Sequence, residues 1–390
     1  VWRTGMKSFG LWYWANHKGD ISEASSSLDE ENSRLVTNKE DVAEEHEKPE
    51  FDLHVNFWSL EDYKHIKSDE IPCLDIGIMV NKYKLIDKLT FFCPFVVGKE
   101  DIADLSDKMA TKNNANIIFN MDCEIQTNDS YTIIELKDKK NKKLLIFPLI
   151  QVIKDVYSVE KGEHGTKIEF KFQNFKKYVN SNPELMKFDT IYIRFRIKWD
   201  ALRDNIYFDS EPLNKSFESA FSGTRIVDFK INERRNIDEK VRAEIIVNHE
   251  VLVNFRKVHF LVMEPSAYDV SSFAEFEMSC RELEEGLWDD YLGTDIDFSK
   301  GHILAYHWKT SKKQESFNCL VKVNYSKTRM STIFVYAMLV IALGVIGSAV
   351  VSALNIWSKN DLNTMFYTII GGIILVFIGI FIGKYSKYLK

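Results

Sequence analysis

From Phe51 to Tyr325 apolar and polar residues alternate with period two, as in Phe51-Asp-Leu-His-Val-Asn-Phe57, Leu74-Asp-Ile-Gly-Ile78, Lys167-Ile-Glu-Phe-Lys-Phe172 and Ile191-Tyr-Ile-Arg-Phe-Arg-Ile-Lys-Trp199. That period puts every second side chain on one face of a sheet, so it predicts half-buried strands. Similar runs predict strands at 89–97, 117–125, 131–136, 143–150, 224–231, 243–247, 258–263, 302–308 and 317–325. Trp12, Tyr13 and Trp14 read as an edge strand or packing element. Helical spacing is rarer. It occurs at Glu100 to Met109, at Leu213 to Phe221, and at Ser272 to Trp288, where Phe273, Phe276, Leu283 and Leu287 share a stripe. Many strands with few helices predict a mainly β region, 51–325, of antiparallel sheets stacked as a sandwich or closed as a barrel. At about 275 residues it is long for one unit, so two subdomains are expected, with a break near Asn180 to Pro183 or Ser210 to Pro212.

After Tyr325 the pattern changes. Thr332 to Leu354 and Thr364 to Ile382 contain no Asp, Glu, Lys, Arg or His. A bilayer core of roughly 30 Å takes about 20 helical residues, so residues 326–390 read as a C-terminal α-helical transmembrane hairpin, with a buried core hairpin as the alternative. Lys322, Lys327, Arg329, Lys384, Lys387 and Lys390 flank the pair, whereas the connector Asn355 to Asn363 carries Lys359 beside Asp361. The positive-inside bias then places both termini and the β-rich region in the cytoplasm, with the lipid bilayer as partner. Gly344, Ser348 and Ser352 lie on one side of the first segment, and Gly372, Gly379 and Gly383 on one side of the second. Small residues of this kind permit close helix packing, within the hairpin or between copies in a homo-oligomer.

Composition refines this picture. At 45% hydrophobic, 28% charged and a formal charge of −6, the chain is no collagen, low-complexity sequence or disulfide scaffold. The mean hydropathy of −0.22 averages unlike regions. Between Asp20 and Glu50 eleven acids face three bases, a net −8, which leaves +2 for everything else. That segment has too few apolar residues to offset its ordering entropy, so 1–50 reads as an N-terminal segment with an acidic, disordered arm, either a linker or a shield for a basic surface. Val1 to Gly5 precede Met6 and are given no role, and residues 6–17 lack the apolar core and cleavage site of a signal peptide.

Catalytic and cofactor motifs are absent. Cys73, Cys93, Cys123, Cys280 and Cys319 are widely spaced and without CxxC, which fits a reducing compartment and no zinc site. His249-Glu250 begins like HExxH, but Val253 occupies the second ligand position. His302 and His307 stand at odd strand spacing, on opposite faces, so no metal is expected there. The acids from Glu282 to Asp297 lack EF-hand spacing and read as a helix surface running into a turn. There is no GxGxxG, P-loop or GxSxG. No cofactor and no catalytic residue is therefore assigned, and the chain reads as a non-enzyme.

The strongest polar signal is the strand Ile191 to Trp199, which turns Arg194, Arg196 and Lys198 to one face. With Arg234 and Arg235, and with Lys167, Lys171 and Arg225 if their strands are neighbours, these residues are candidates for a small anionic, nucleotide-like ligand, because guanidinium forks match phosphate. The alternative is a solvated sheet face balanced by Glu169, Glu233 and Asp238. Nucleic acid is disfavoured by the acidic net charge and the lack of a dense basic stripe. A cytoplasmic β-rich domain followed by a two-helix hairpin is similar in organisation to membrane-tethered effectors of bacterial nucleotide-signalling immunity, a likeness of architecture without a shared motif. It implies a ligand-controlled membrane effector acting through oligomerisation of its hairpin. A passive membrane-anchored scaffold and a membrane-tethered enzyme are the alternatives.

Overall fold

The computed structural model describes residues 7–15, 47–60, 72–137, 142–149, 153, 155–202, 204–210, 222–326 and 330–358, with 363, 366–367 and 370–374. In chain order the elements begin with β1 (Gly10–Trp14), β2 (Glu50–Trp58), β3 (Cys73–Asn81), β4 (Lys88–Cys93), β5 (Ile102–Asp104) and α1 (Lys112–Phe119). There follow β6 (Cys123–Thr127), β7 (Thr132–Leu136), β8 (Lys143–Ile146), β9 (Tyr157–Gly162), β10 (Gly165–Lys171), α2 (Phe172–Asn180) and β11 (Thr190–Lys198). Next come β12 (Tyr207–Ser210), β13 (Ser222–Ile231), α3 (Glu239–Val247), β14 (Val251–Leu252), β15 (Phe255–Pro265) and β16 (Asp269–Ser272). The last are β17 (Met278–Glu282), α4 (Asp289–Leu292), β18 (Ile303–Lys309), β19 (Phe317–Ser326) and α5 (Met330–Ser358).

The expectation of a mainly β architecture holds, as open sheets and not a barrel. A ten-stranded sheet runs β17-β18-β15-β2-β3-β11-β8-β7-β6, with β5 also on β11; a five-stranded sheet runs β14-β1-β4-β10-β9, and a four-stranded one β12-β13-β19-β16. Most pairs are antiparallel, but β15 lies parallel to β2 and β8 parallel to β11. Alternation sends Leu53, Val55, Ile76, Ile78, Ile193, Phe195, Phe260 and Val262 of the large sheet into one core with Leu11, Phe91, Ile168 and Phe170 of the five-stranded sheet and Phe229, Phe317 and Val321 of the four-stranded one. This apolar sandwich supplies the main driving force for folding. By contact density the chain divides into two units, 1–209 with 225–323, and 210–224 with 324–390.

Several local expectations are corrected. The β-branched run at 243–247 predicts a strand, yet these residues end helix α3. Asp238 caps it by accepting from the Lys240 N–H at 3.0 Å, and Val241 and Ile245 bury one stripe. Residues 117–125 split between α1 and β6 at Asn120, whose left-handed φ of 53° ends the helix. The helix expected over Ser272 to Trp288 is replaced by β17, because the open edge of β18 takes Met278 to Glu282 as a partner strand. The helix expected at Glu100 to Met109 is two short 3-10 turns around β5. The candidate at Leu213 to Phe221 lies outside the described residues, as does the acidic arm over 20–46. β1 is no edge strand: it pairs with β4 and β14, and Trp12 is buried.

The two-pass membrane reading is also corrected. Among the described residues no helix is long and apolar enough to cross a membrane. The second segment is described as helix only at 363, 366–367 and 370–374. The localisation, the membrane effector and its membrane-bound alternatives rested on those spans and fall with them. Of the packing candidates, Gly372 would place a Cβ 3.3 Å from that of Ala349, while Gly344 has nothing within 4 Å. Ser348 and Ser352 are on α5, and Gly379 and Gly383 lie outside the described residues.

One buried acid has a measurable consequence. Glu264 on β15 is fully buried, and neither carboxyl oxygen makes a hydrogen bond. Burial pushes its carboxyl up to about 7, against the opposing pull of the Arg225 charge and the neighbouring Ser59 hydroxyl. The folded state thus holds a proton that the unfolded chain releases near 4.5. Its stabilisation is complete below about 4.5 and is lost as pH rises through about 7, a swing of up to about 3 kcal/mol. Glu264→Gln is expected to be more stable than the parent at pH 8 and nearly equal to it at pH 5. Chemical denaturation at the two pH values checks this, and equal differences at both would refute it.

Candidate functional site

The second face of the large sheet carries polar residues where a core face would be apolar. On β3 it presents Asp75 and Gly77, on β11 Tyr192, Arg194 and Arg196, on β2 His54 and Asn56, on β15 His259 and on β18 His307. Register brings them together: Arg196 stands opposite Asp75, Arg194 opposite Gly77, His54 opposite Gly77 on the other side, and His259 opposite His54. His307 lies diagonally across from His259, opposite Leu261. Two apolar clusters flank the row. One contains Trp58, Trp288, Tyr291 and Leu292, the other Met79, Phe119, Ile134 and Tyr192.

Asp75 organises the inner end. Its carboxylate accepts from Arg196 Nε at 2.7 Å and Nη2 at 3.3 Å, from Trp58 Nε1 at 3.0 Å and from the Tyr291 hydroxyl at 2.7 Å. Arg194, 1% exposed, donates from Nε to the Tyr291 oxygen at 2.7 Å and from Nη1 to the Tyr192 oxygen at 2.8 Å. With the Asn56 amide turned to present its oxygen, Arg194 Nη2 donates to it at 3.1 Å. Both guanidinium groups also lie over the Tyr291 ring, at 5.4 and 5.5 Å. Burial alone would raise the Asp75 pKa, but the Arg196 charge and hydrogen bond hold it below the usual range. Two buried cations thus share one carboxylate within the row.

Gly77 makes the close approach possible. A Cβ there would stand 2.1 Å from the Tyr192 hydroxyl and 2.9 Å from Arg194 Nη1.

Tyr291 accepts from Arg194 and gives its single proton to Asp75. Tyr192 likewise accepts from Arg194, and its hydroxyl lies 3.2 Å from His54 Nδ1, a hydrogen bond in which either group can donate. Beyond it the rings of His54 and His259 meet edge to face at 5.1 Å. His259 and His307 stack at 5.2 Å, with His259 Nδ1 3.1 Å from His307 Nε2. Desolvation and neighbouring charge keep all three neutral: His54 is held well below 6.5, and His259 and His307 are each brought down to about 4. Besides burial, the groups responsible are His259, Arg194, His307 and Lys142 on His54, His307, Lys309 and Lys257 on His259, and Lys309 and Arg281 on His307. Asp52 alone pulls the other way, and it is already paired with Arg256, whose Nε donates to it at 2.8 Å.

The sequence candidates separate. Arg194 and Arg196 sit in the row but are buried, and Lys198 is half-buried at the end of β11 opposite Cys73. Arg234 and Arg235 lie on an exposed 3-10 turn after β13, 3.7 Å from Glu315 and 3.2 Å from Glu233 respectively. Lys167 and Lys171 are on β10 in the five-stranded sheet and Arg225 is on β13 in the four-stranded one, so neither strand neighbours β11. The acids after Glu282 are dispersed: Asp289 accepts from the Ile296 N–H, Asp290 from Asn114, and Asp297 caps Ser299. His302 pairs with Glu282 at the surface. Among the described residues no group of three or more His, Cys, Asp and Glu is placed to hold a metal ion. Sequence reading missed Asp75, His54, His259 and Tyr291; the only hint was polar residues at alternate positions of otherwise apolar strands. No family model and no curated protein matches the chain.

Asp75→Asn is expected to cost about 3–5 kcal/mol, because it leaves two buried guanidinium groups without an anion. Gly77→Ala is expected to lower the melting temperature by wedging Tyr192 away from Arg194. Urea denaturation of both variants checks this, and a loss under about 1 kcal/mol for Asp75→Asn would show that the row is not held as described.

Proposed function

We propose that the β-rich body is a binding protein for a small phosphate-bearing anion, seated at the half-buried histidine end of the row. The observation that carries this is a patch of three neutral imidazoles with Arg194, Lys142, Lys257, Lys309 and Arg281 around it, Arg281 being paired with Glu284 and the neighbouring acid Asp52 with Arg256. Such a field repels a divalent cation and attracts an anion. Imidazole N–H groups supply directional donors, and the exposed ammonium groups supply long-range charge. The buried arginines act at a distance: their own donors are used within the row, and Arg194 adds positive charge behind His54. No bond-making step is assigned to the site.

Isothermal titration of the full chain with inorganic pyrophosphate and with ADP tests the reading. His259→Ala and His307→Ala are each expected to weaken binding about tenfold, the scale of one hydrogen bond to a charged group. Arg234→Ala combined with Arg235→Ala is expected to leave it unchanged. Absence of binding by both probes at low salt, or equal loss from the Arg234 and Arg235 changes, would overturn it.

A further inference from the structure

The histidine pair has an asymmetry that bears on how an anion is held. This inference rests on the anion site described above. Two neutral imidazoles hold two protons between four nitrogens. One proton occupies the contact from His259 Nδ1 to His307 Nε2, whichever ring donates it. Of the two nitrogens pointing away from that contact, one bears the second proton and the other is a bare lone pair. A lone pair facing an anion is repulsive, so the empty pair offers one donor and one obstacle. His54 differs, since its Nδ1 is already engaged by the Tyr192 hydroxyl at 3.2 Å and the buried Arg194 charge lies behind it.

We propose that anion binding is coupled to uptake of one proton by the His259–His307 pair, at whichever outer nitrogen is bare, and that His54 takes up none. The proton comes from solvent, and the resulting imidazolium donates both across the pair and to the ligand. Burial comes first in keeping the pair neutral when empty, helped by the effect of His307 on His259 and by Lys257 from β15, Lys309 from β18 and Arg281 from β17, and opposed by Asp52 from β2; His54 of β2 faces His259 edge to face. A bound phosphate reverses the sign of that field. With both imidazoles at about 4 in the empty state, affinity rises by up to about tenfold for each unit that pH falls from about 7 toward about 5.

Titration of the full chain with inorganic pyrophosphate in buffers of different ionisation enthalpy counts the protons taken up, after subtraction of those pyrophosphate itself exchanges. Uptake approaching one proton near pH 6 is expected, together with imidazolium nitrogen shifts of His259 or His307 by NMR while His54 keeps the pattern of a neutral imidazole. His307→Gln is expected to abolish the uptake and flatten the pH profile, whereas His302→Ala leaves both intact. Pyrophosphate binding with no proton uptake, or with protonation of His54, overturns this inference and leaves the anion site standing. No binding at any pH overturns both.

Discussion

Two arginines buried beside one carboxylate set the terms for the outer face of the large sheet. Removing a guanidinium from water costs several kcal/mol unless its donors and its charge are met. Here Asp75 supplies charge directly to Arg196 and, through the Tyr291 hydroxyl, to Arg194. That requirement explains features that otherwise seem unrelated. Gly77 lacks a side chain because Tyr192 and Arg194 occupy the space. The short helix α4 lies over the strands because Tyr291 must reach Asp75. Trp58 turns its indole N–H inward to the same carboxylate.

The same constraint extends to the histidines. Arg194 donates to both tyrosines, so the Tyr291 proton goes to Asp75, and the Tyr192 hydroxyl carries the hydrogen-bonded row on to His54 Nδ1. An excess of positive charge is thereby built into one side of the sheet while the imidazoles above it stay neutral. The row links a structural ion pair at one end to half-exposed donors at the other. Substitutions at the buried end are therefore expected to disturb the open end through position and field and not through contact.

Much of the secondary structure was legible. The strands around Val55, Ile76, Ile193 and Phe260 were readable because a sheet buried on one face leaves a period-two signature. The misreadings share a cause. Glu239–Val247 has β-branched residues and still forms a helix because Asp238 caps it and two of its side chains find the core. Met278–Glu282 has a neighbouring helical stripe and still forms a strand because β18 had an open edge. In both, a partner distant in sequence outweighed a local preference.

Arg194 and Arg196 stood out in the sequence as cations on one strand face, and alternation alone determined that they share it. Whether that face met solvent or protein was undetermined, since it depends on what the segment carrying Tyr291 and Leu292 does, about a hundred positions later. The sequence likewise determined a long apolar C-terminal stretch, but not a membrane span among the described residues. His54, His259 and His307 come from three strands separated by long stretches of chain. Their adjacency is a matter of strand order and register, which depend on long-range pairing that no local pattern encodes.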